Sequence, residues 1–391
     1  MKNSNRGVNS NCVIKFAAAV IALGISYGIY GTTINNFLSD EFGMNAVQRG
    51  HLELPREFPG FLCALMSGAL FFLSEAKAAA VASLLISIGM VGLTLTGTSY
   101  IKLIIALLFW SAGTHLTQPL VSSIAMQLAE PHSRGSFLGK LRALDAIATV
   151  LGGGIVWLAI ERLHYNGLFV FSAVASAIAA LLFSSMPELT LMHSPRRKFV
   201  FDKRYMLFYL LNILFGARKQ LFLTFGPWVL IKVFNQQAST FARLWIIAAP
   251  LTAIINPRVG RLVDRWGERN VLMLDAAMLI IVCVIYGFAS HIPVFGLYLA
   301  LACYILDQLL FVTGIARATY LRKIAKDESD VAPSLSLGVS LDHAVSMLLP
   351  SFAGYIWYHY GHELVFIIAA GLSFLNLITA AVIRCNCKSG S

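Results

Sequence analysis

The chain has 391 residues, 58% of them hydrophobic and 13% charged, with a mean hydropathy of +0.73. A soluble domain of this length carries about twice that share of charge, so a single water-soluble core is excluded and lipid is the solvent for most of the chain. The net charge of +11 does not mark a nucleic-acid binder, because lysine and arginine punctuate apolar runs instead of gathering on one face. The six cysteines are scattered and form no disulfide framework, and Cys385-Asn386-Cys387 reads as an ordinary solvated tail. No cofactor is expected.

A helix needs roughly 20 mostly apolar residues to cross the hydrocarbon layer. Twelve runs satisfy this: 13–38, 46–73, 77–98, 101–128, 134–160, 167–187, 204–232, 238–262, 270–290, 293–322, 330–358 and 363–384. The first is long enough to span and lacks a small-residue cleavage site, so no signal peptide is read there. The polar stretch 188–203, with Ser194-Pro195-Arg196-Arg197-Lys198, divides the chain into an N-terminal bundle, 1–187, and a C-terminal bundle, 204–391. With the N-terminus inside, the expected cytoplasmic segments hold 20 lysines and arginines and the opposite side 5. That bias puts both termini in the cytoplasm, and the expected location is the plasma (inner) membrane. The halves form a diverged repeat: a shift of 192 residues lays Phe42-Gly43-Met44-Asn45-Ala46-Val47 on Phe234-Asn235-Gln236-Gln237-Ala238-Ser239.

Ionisable groups inside spans are costly and face cavities or one another. The first span offers Tyr27. The second carries Glu53, Arg56 and Glu57 at i, i+3 and i+4, hence on one helix face, among Pro55 and Pro59. The fourth adds His115 and Gln118, the fifth Arg142 and Asp145, and the seventh Arg218 and Lys219 near its middle. Asp307 lies in the tenth, and Asp342 and His343 in the eleventh. Spans three, six, nine and twelve look almost free of charge at mid-depth. Arg218 and Lys219, about 100° apart on their helix, cannot both face one point, so one of them pairs with Asp307 or Asp342. Asp145 either neutralises Arg142 or works alongside it.

Between the eighth and ninth spans stands Gly260-Arg261-Leu262-Val263-Asp264-Arg265-Trp266-Gly267-Glu268-Arg269. It resembles the loop motif G-x-L-x-D-R-x-G-x-R of the major facilitator superfamily. The resemblance implies an all-α membrane protein with twelve transmembrane helices in two pseudo-symmetric six-helix bundles. It also implies a cavity lined by spans one, four, seven and ten, with two, five, eight and eleven at the seam. It makes Gly260, Asp264, Arg265, Gly267 and Arg269 gating residues, with Asp264 latching a helix N-terminus. The first half departs from the pattern: Gly68 is kept, but Phe72 and Leu73 stand where aspartate and arginine are usual. Gly152-Gly153-Gly154 lacks the proline of the antiporter motif.

The resulting expectation is a secondary transporter of a small solute, preferably an anion or zwitterion, coupled to protons and acting as a monomer in the lipid bilayer without nucleic acid. Four cations (Arg56, Arg142, Arg218, Lys219) face five acids (Glu53, Glu57, Asp145, Asp307, Asp342). Substrate contacts are expected from Arg218, Lys219, Arg142, Arg56, His115, Gln118, Asp307 and Tyr27, and proton coupling from Asp342, Asp145, Glu57 and His343. An enzyme is disfavoured, since neither His-Glu-x-x-His nor Gly-x-Ser-x-Gly occurs, nor a nucleotide-binding glycine loop. A drug, cation or lipid efflux pump and a non-transporting membrane sensor are the alternatives.

Overall fold

The computed structural model describes residues 10–63, 66, 70, 72–130, 134–187 and 202–383. The Cys385/Cys387 tail, Gly68 and nearly all of the linker 188–203 lie outside the described residues. Among those described, twelve helices are α1 (Ser10–Asp40), α2 (Ala46–His51), α3 (Glu53–Phe61), α4 (Glu75–Thr94), α5 (Tyr100–Leu128), α6 (Arg134–Ser184), α7 (Met206–Lys232), α8 (Ala238–Phe288), α9 (Gly296–Leu310), α10 (Gly314–Ile324), α11 (Glu328–Tyr360) and α12 (His362–Ala381). These labels count helices, not membrane crossings. At 51 residues each, α6 and α8 would be about 76 Å long if continuous, far more than the ~30 Å hydrocarbon layer. Each breaks once, α6 at His164 (φ 51°) and α8 at Gly267 (φ 78°), so each carries two expected spans. Nine helical stretches among the described residues are long and apolar enough to span, and α6 and α8 double two of them. The second expected span runs through α2 and α3. The tenth is α9 and α10, joined by the tight turn Phe311–Thr313.

The 192-residue repeat is visible in helix ends. α1 stops at Asp40 and α7 at Lys232, while α2 starts at Ala46 and α8 at Ala238. Asn45 caps α2, accepting from the Gln48 amide at 2.9 Å while Gln48 accepts from the Asn45 amide at 3.1 Å.

The described residues pack into two compact units. The first comprises 1–42, 58–194 and 237–249; the second comprises 43–57, 195–236 and 250–391. In the first, α1 lies on α6 so closely that a Cβ on Gly28 would run into the Thr149 carbonyl; glycine is what permits that approach. Ser26, Ser172 and Ser176 form a buried hydroxyl cluster with links of 2.7 and 2.8 Å, and Tyr30 stacks on Trp110 with ring centroids 3.5 Å apart. In the second unit, Tyr205, Phe208, Tyr209, Val271, Leu272, Ala316, Tyr320, Leu321 and Ala380 form one apolar cluster. Tyr286 donates to the Gly226 carbonyl at 2.6 Å and packs on Phe366. α2 crosses α11 where Gly50 meets the Pro350 carbonyl and Gly354 meets that of Ala46.

The outward faces are apolar in helical register. On α4 and its C-terminal cap Leu95 the exposed large apolar residues are Val81, Leu84, Ile88, Val91 and Leu95, spaced three and four apart on one stripe. The second half of α6 exposes Val170, Val174, Ile178 and Leu181, the second half of α8 Leu274, Ile281, Val284 and Phe288, and α12 Ile367, Phe374 and Ile378, followed by its cap Val382. These are the third, sixth, ninth and twelfth expected spans, and such stripes need lipid. The chain is an integral membrane protein. The ninth expected span also holds one buried acid close to its start, Asp275, at 1% exposure.

Candidate functional site

Within the first unit, the expected site residues of spans one, four and five converge on one cavity. Its walls are Val20, Leu23, Val121, Leu138 and Leu141, and its polar edge is Tyr27, Thr117, Gln118, Ser122, Arg142 and Asp145. Arg142 and Asp145 are three residues apart on α6 and feel each other's charge without forming an ion pair. Arg142 is exposed. His115 does not line this cavity; its carbonyl accepts from the Cys63 thiol at 3.3 Å.

In the second unit the expected cations of span seven are already engaged. Arg218, 2% exposed, hydrogen-bonds to Asp307 of α9, which is fully buried. Lys219 turns the other way and pairs with Asp342 of α11. The angular argument for adjacent residues thus holds, and both acids offered as partners are used, one for each cation. Gly216, one turn before Gln220, leaves the space that the Asp342 carboxylate occupies.

A second polar group in the same unit spans α2, α3, α7 and α11. Glu53, fully buried, accepts from Arg49 and from Arg56, and from the Gln220 amide at 2.9 Å. Arg56 also reaches Glu57 at 2.9 Å, and Glu57 lies 3.1 Å from Nδ1 of His343. The Arg49 guanidinium stands 6.0 Å from the Trp228 ring. Glu53, Arg56 and Glu57 do share a helix face, and Arg49 completes their charge balance, two cations against two acids.

The loop motif is helical up to its break at Gly267, whose positive φ suits glycine. A side chain at Gly260 would point into open space, and Asp264 and Arg265 are exposed. Glu268 holds Lys323 of α10 at 2.8 Å, while Nε of Arg269 is buried without a hydrogen-bond partner among the described residues.

Three residues escape sequence reasoning. Asp275 stands alone in Val271-Leu272-Met273-Leu274-Asp275-Ala276, and an inventory of every acid inside an apolar run finds it. Arg317 lies close to the polar end of its run, where Arg322 and Lys323 are the more obvious charges. Arg49 reads as a loop residue in the sequence, yet it is 4% exposed in α2.

The fold places the chain among known proteins. The sequence model described as Major Facilitator Superfamily matches residues 16–329. No curated relative matches in sequence. The structure is similar to that of a point mutant of nucleoside transporter NupG, at 15% identity and a TM-score of 0.81, covering 94% of this chain and 98% of that one. It is also similar to a bacterial homolog of the human lysosomal transporter Spinster, in an inward-facing and occupied conformation, at 14% identity and a TM-score of 0.74, covering 96% and 97%. A D-xylose-proton symporter aligns at 14% identity and a TM-score of 0.67, covering 94% and 96%. At such identities the likeness carries the fold, and the family match carries membership: the chain is a transporter, not an enzyme, and belongs to the Major Facilitator Superfamily.

Proposed function

We propose that this protein carries a small anionic or zwitterionic solute across the plasma (inner) membrane as a proton-coupled monomer with both termini cytoplasmic. Access alternates as the bundles 1–187 and 204–391, joined by 188–203, rock about the solute. Arg142 supports this reading best. Of the four cations expected near the site, Arg56, Arg218 and Lys219 are held by carboxylates, whereas Arg142 has none bonded to it and lines a cavity with Gln118 and Asp145. Its guanidinium is therefore the group with donors to spare, and it suits a carboxylate or phosphate through two parallel hydrogen bonds. Asp145 then meets a cationic group on the same solute, and Val20, Leu23 and Leu141 meet an apolar part.

Glu57 with His343 and Asp342 with Lys219 are the proton-sensitive pairs of this reading, since neutralising either carboxylate frees its partner. The test is a ligand screen by thermal stabilisation of the purified protein, with amino acids, small carboxylates, nucleotides and quaternary amines as probes. Stabilisation by a carboxylate or zwitterion that is lost in Arg142→Ala supports the reading. Stabilisation by amines alone, lost in Asp145→Asn, favours a drug or cation pump, for which the apolar walls of the cavity also speak.

A further inference from the structure

The first unit holds a second pocket, of about 470 Å³, apart from the cavity that Arg142 lines. It lies where α1 ends, α8 begins and α6 breaks at His164. Between Tyr27 at the first cavity and Asp40 at this one, α1 rises about 20 Å. With both termini cytoplasmic, as proposed above, this end of the unit faces the outside. Trp157 and Glu161, one turn apart on α6, form one wall. Asp40 and Tyr165 form the second, and Gln237, Ser239 and Arg243 of α8 the third.

The charges of this pocket do not satisfy one another. Glu161 is exposed and has no hydrogen-bond or ion-pair partner among the described residues. Arg162, its neighbour in sequence, points about 100° round the helix. Asp40 accepts from the Tyr165 hydroxyl at 2.6 Å, and no lysine or arginine among the described residues pairs with it. It is also the last residue of α1, whose final turn holds no base; a carboxylate there opposes the helix dipole. Arg243 directs its donors to the Ser239 carbonyl at 3.3 Å and the Thr240 hydroxyl at 3.4 Å, and meets no carboxylate. Beside these groups the Trp157 ring is 49% exposed.

An ammonium group answers this arrangement. Two carboxylates attract it, the C-terminal end of α1 adds partial negative charge, and the open face of an indole holds organic cations. A metal ion would want a cage of oxygens, which neither an indole nor an arginine supplies. Arg243 is the complement of an acidic group on the same ligand. We propose that this pocket binds a zwitterionic solute, its ammonium between Asp40 and Glu161 against Trp157 and its carboxylate on Arg243. This deepens the reading of the solute as a zwitterion and rests on it only for the step that follows, passage to the Arg142 cavity.

The test reads Trp157 directly. Purified full-length protein in maltoside micelles, free of amine-bearing lipid, is titrated with the cationic fluorescence quencher N-methylpyridinium. Quenching should saturate, and the saturable part should be absent in Trp157→Phe. Its half-saturation should rise about tenfold or more in Glu161→Gln, the scale of a charged hydrogen bond; Glu161 has no partner to lose, so that variant should fold. Isoamylamine and free leucine should displace the quencher and isocaproate should not, while Arg243→Gln should weaken leucine and leave the amine unchanged. Saturable quenching should persist in Arg142→Ala, which separates this site from the central cavity whatever the solute screen returns. Quenching that is linear in quencher, equal in Glu161→Gln or lost in Arg142→Ala would overturn the proposal. So would displacement by isocaproate, or by the amine but not by leucine. Displacement by phosphatidylethanolamine in place of leucine would overturn it too, giving the pocket to a lipid headgroup.

Discussion

Gly216 of α7 lies against the carboxylate of Asp342 on α11, with no room between them for a methyl group. The Asp342 oxygen turned towards it is buried and has no hydrogen-bond partner among the described residues, while the other oxygen pairs with Lys219. Gly216→Ala should force the carboxylate away and weaken the Lys219–Asp342 pair. The expected loss is about 1–3 kcal/mol of stability, the scale of overpacking. Added to Asp342→Ala, the same Gly216→Ala change should cost little more, because the shorter side chain has already vacated the contested space. Thermal unfolding of the purified variants reads both effects, and full stability of Gly216→Ala alone would contradict the close approach.

Arg218 and Asp307 are both almost fully buried. Removing one partner strands a charge in a dry interior, so Arg218→Ala should destabilise the protein by about 3–5 kcal/mol. The double change Arg218→Ala with Asp307→Ala should restore much of that stability. A well-folded Arg218→Ala that lost only ligand-induced stabilisation would instead restore Arg218 to the role of substrate contact.

Much of the fold is legible in the sequence, because lipid imposes simple rules on it. Apolar runs of fixed length mark the spans, and the 192-residue shift anticipates the ends of α1 and α7 and the starts of α2 and α8. The breaks at His164 and Gly267 fall in the gaps left between expected spans. Partner choice is less legible. Asp307 and Asp342 are both candidates for Arg218, and only packing decides which helix each adjacent cation faces. Asp275 and Arg317 escape notice because depth in a span is judged from its ends, whereas burial depends on the face presented to neighbouring helices. Arg142 is one cation of four in the sequence, and its distinction emerges only when the other three are seen engaged.

Asp264 is exposed in this structure, beside the break at Gly267. The gating role that the loop motif implies for it would engage Asp264 in only part of the cycle, and on that reading Asp264→Asn should slow turnover while leaving ligand-induced thermal stabilisation within a few-fold of wild type. Loss of ligand stabilisation with unchanged exchange between states would refute the gating role.

Both termini are expected in the cytoplasm, from the bias of 20 lysines and arginines against 5. Reporter domains fused at each end, one active only inside the cell and one only outside, should agree on the inner side. An external C-terminus would imply an odd number of crossings and undo the repeat.

The membership of residues 43–57 and 237–249 bears on how the chain can be divided. The first stretch precedes the linker but packs with the second unit, where it supplies Glu53 to Gln220 and Glu57 to His343. The second follows the linker but packs with the first unit, placing Ala238 and Ala242 against Ile29, Val156 and Leu168. A gene cut at 188–203 therefore yields two polypeptides that each lack a piece of their own packing. Synthesised alone, either fragment presents unsatisfied polar groups or an open apolar notch to quality-control proteases. Synthesised together, each holds the insert that completes the other, and the two should accumulate only as a complementing pair.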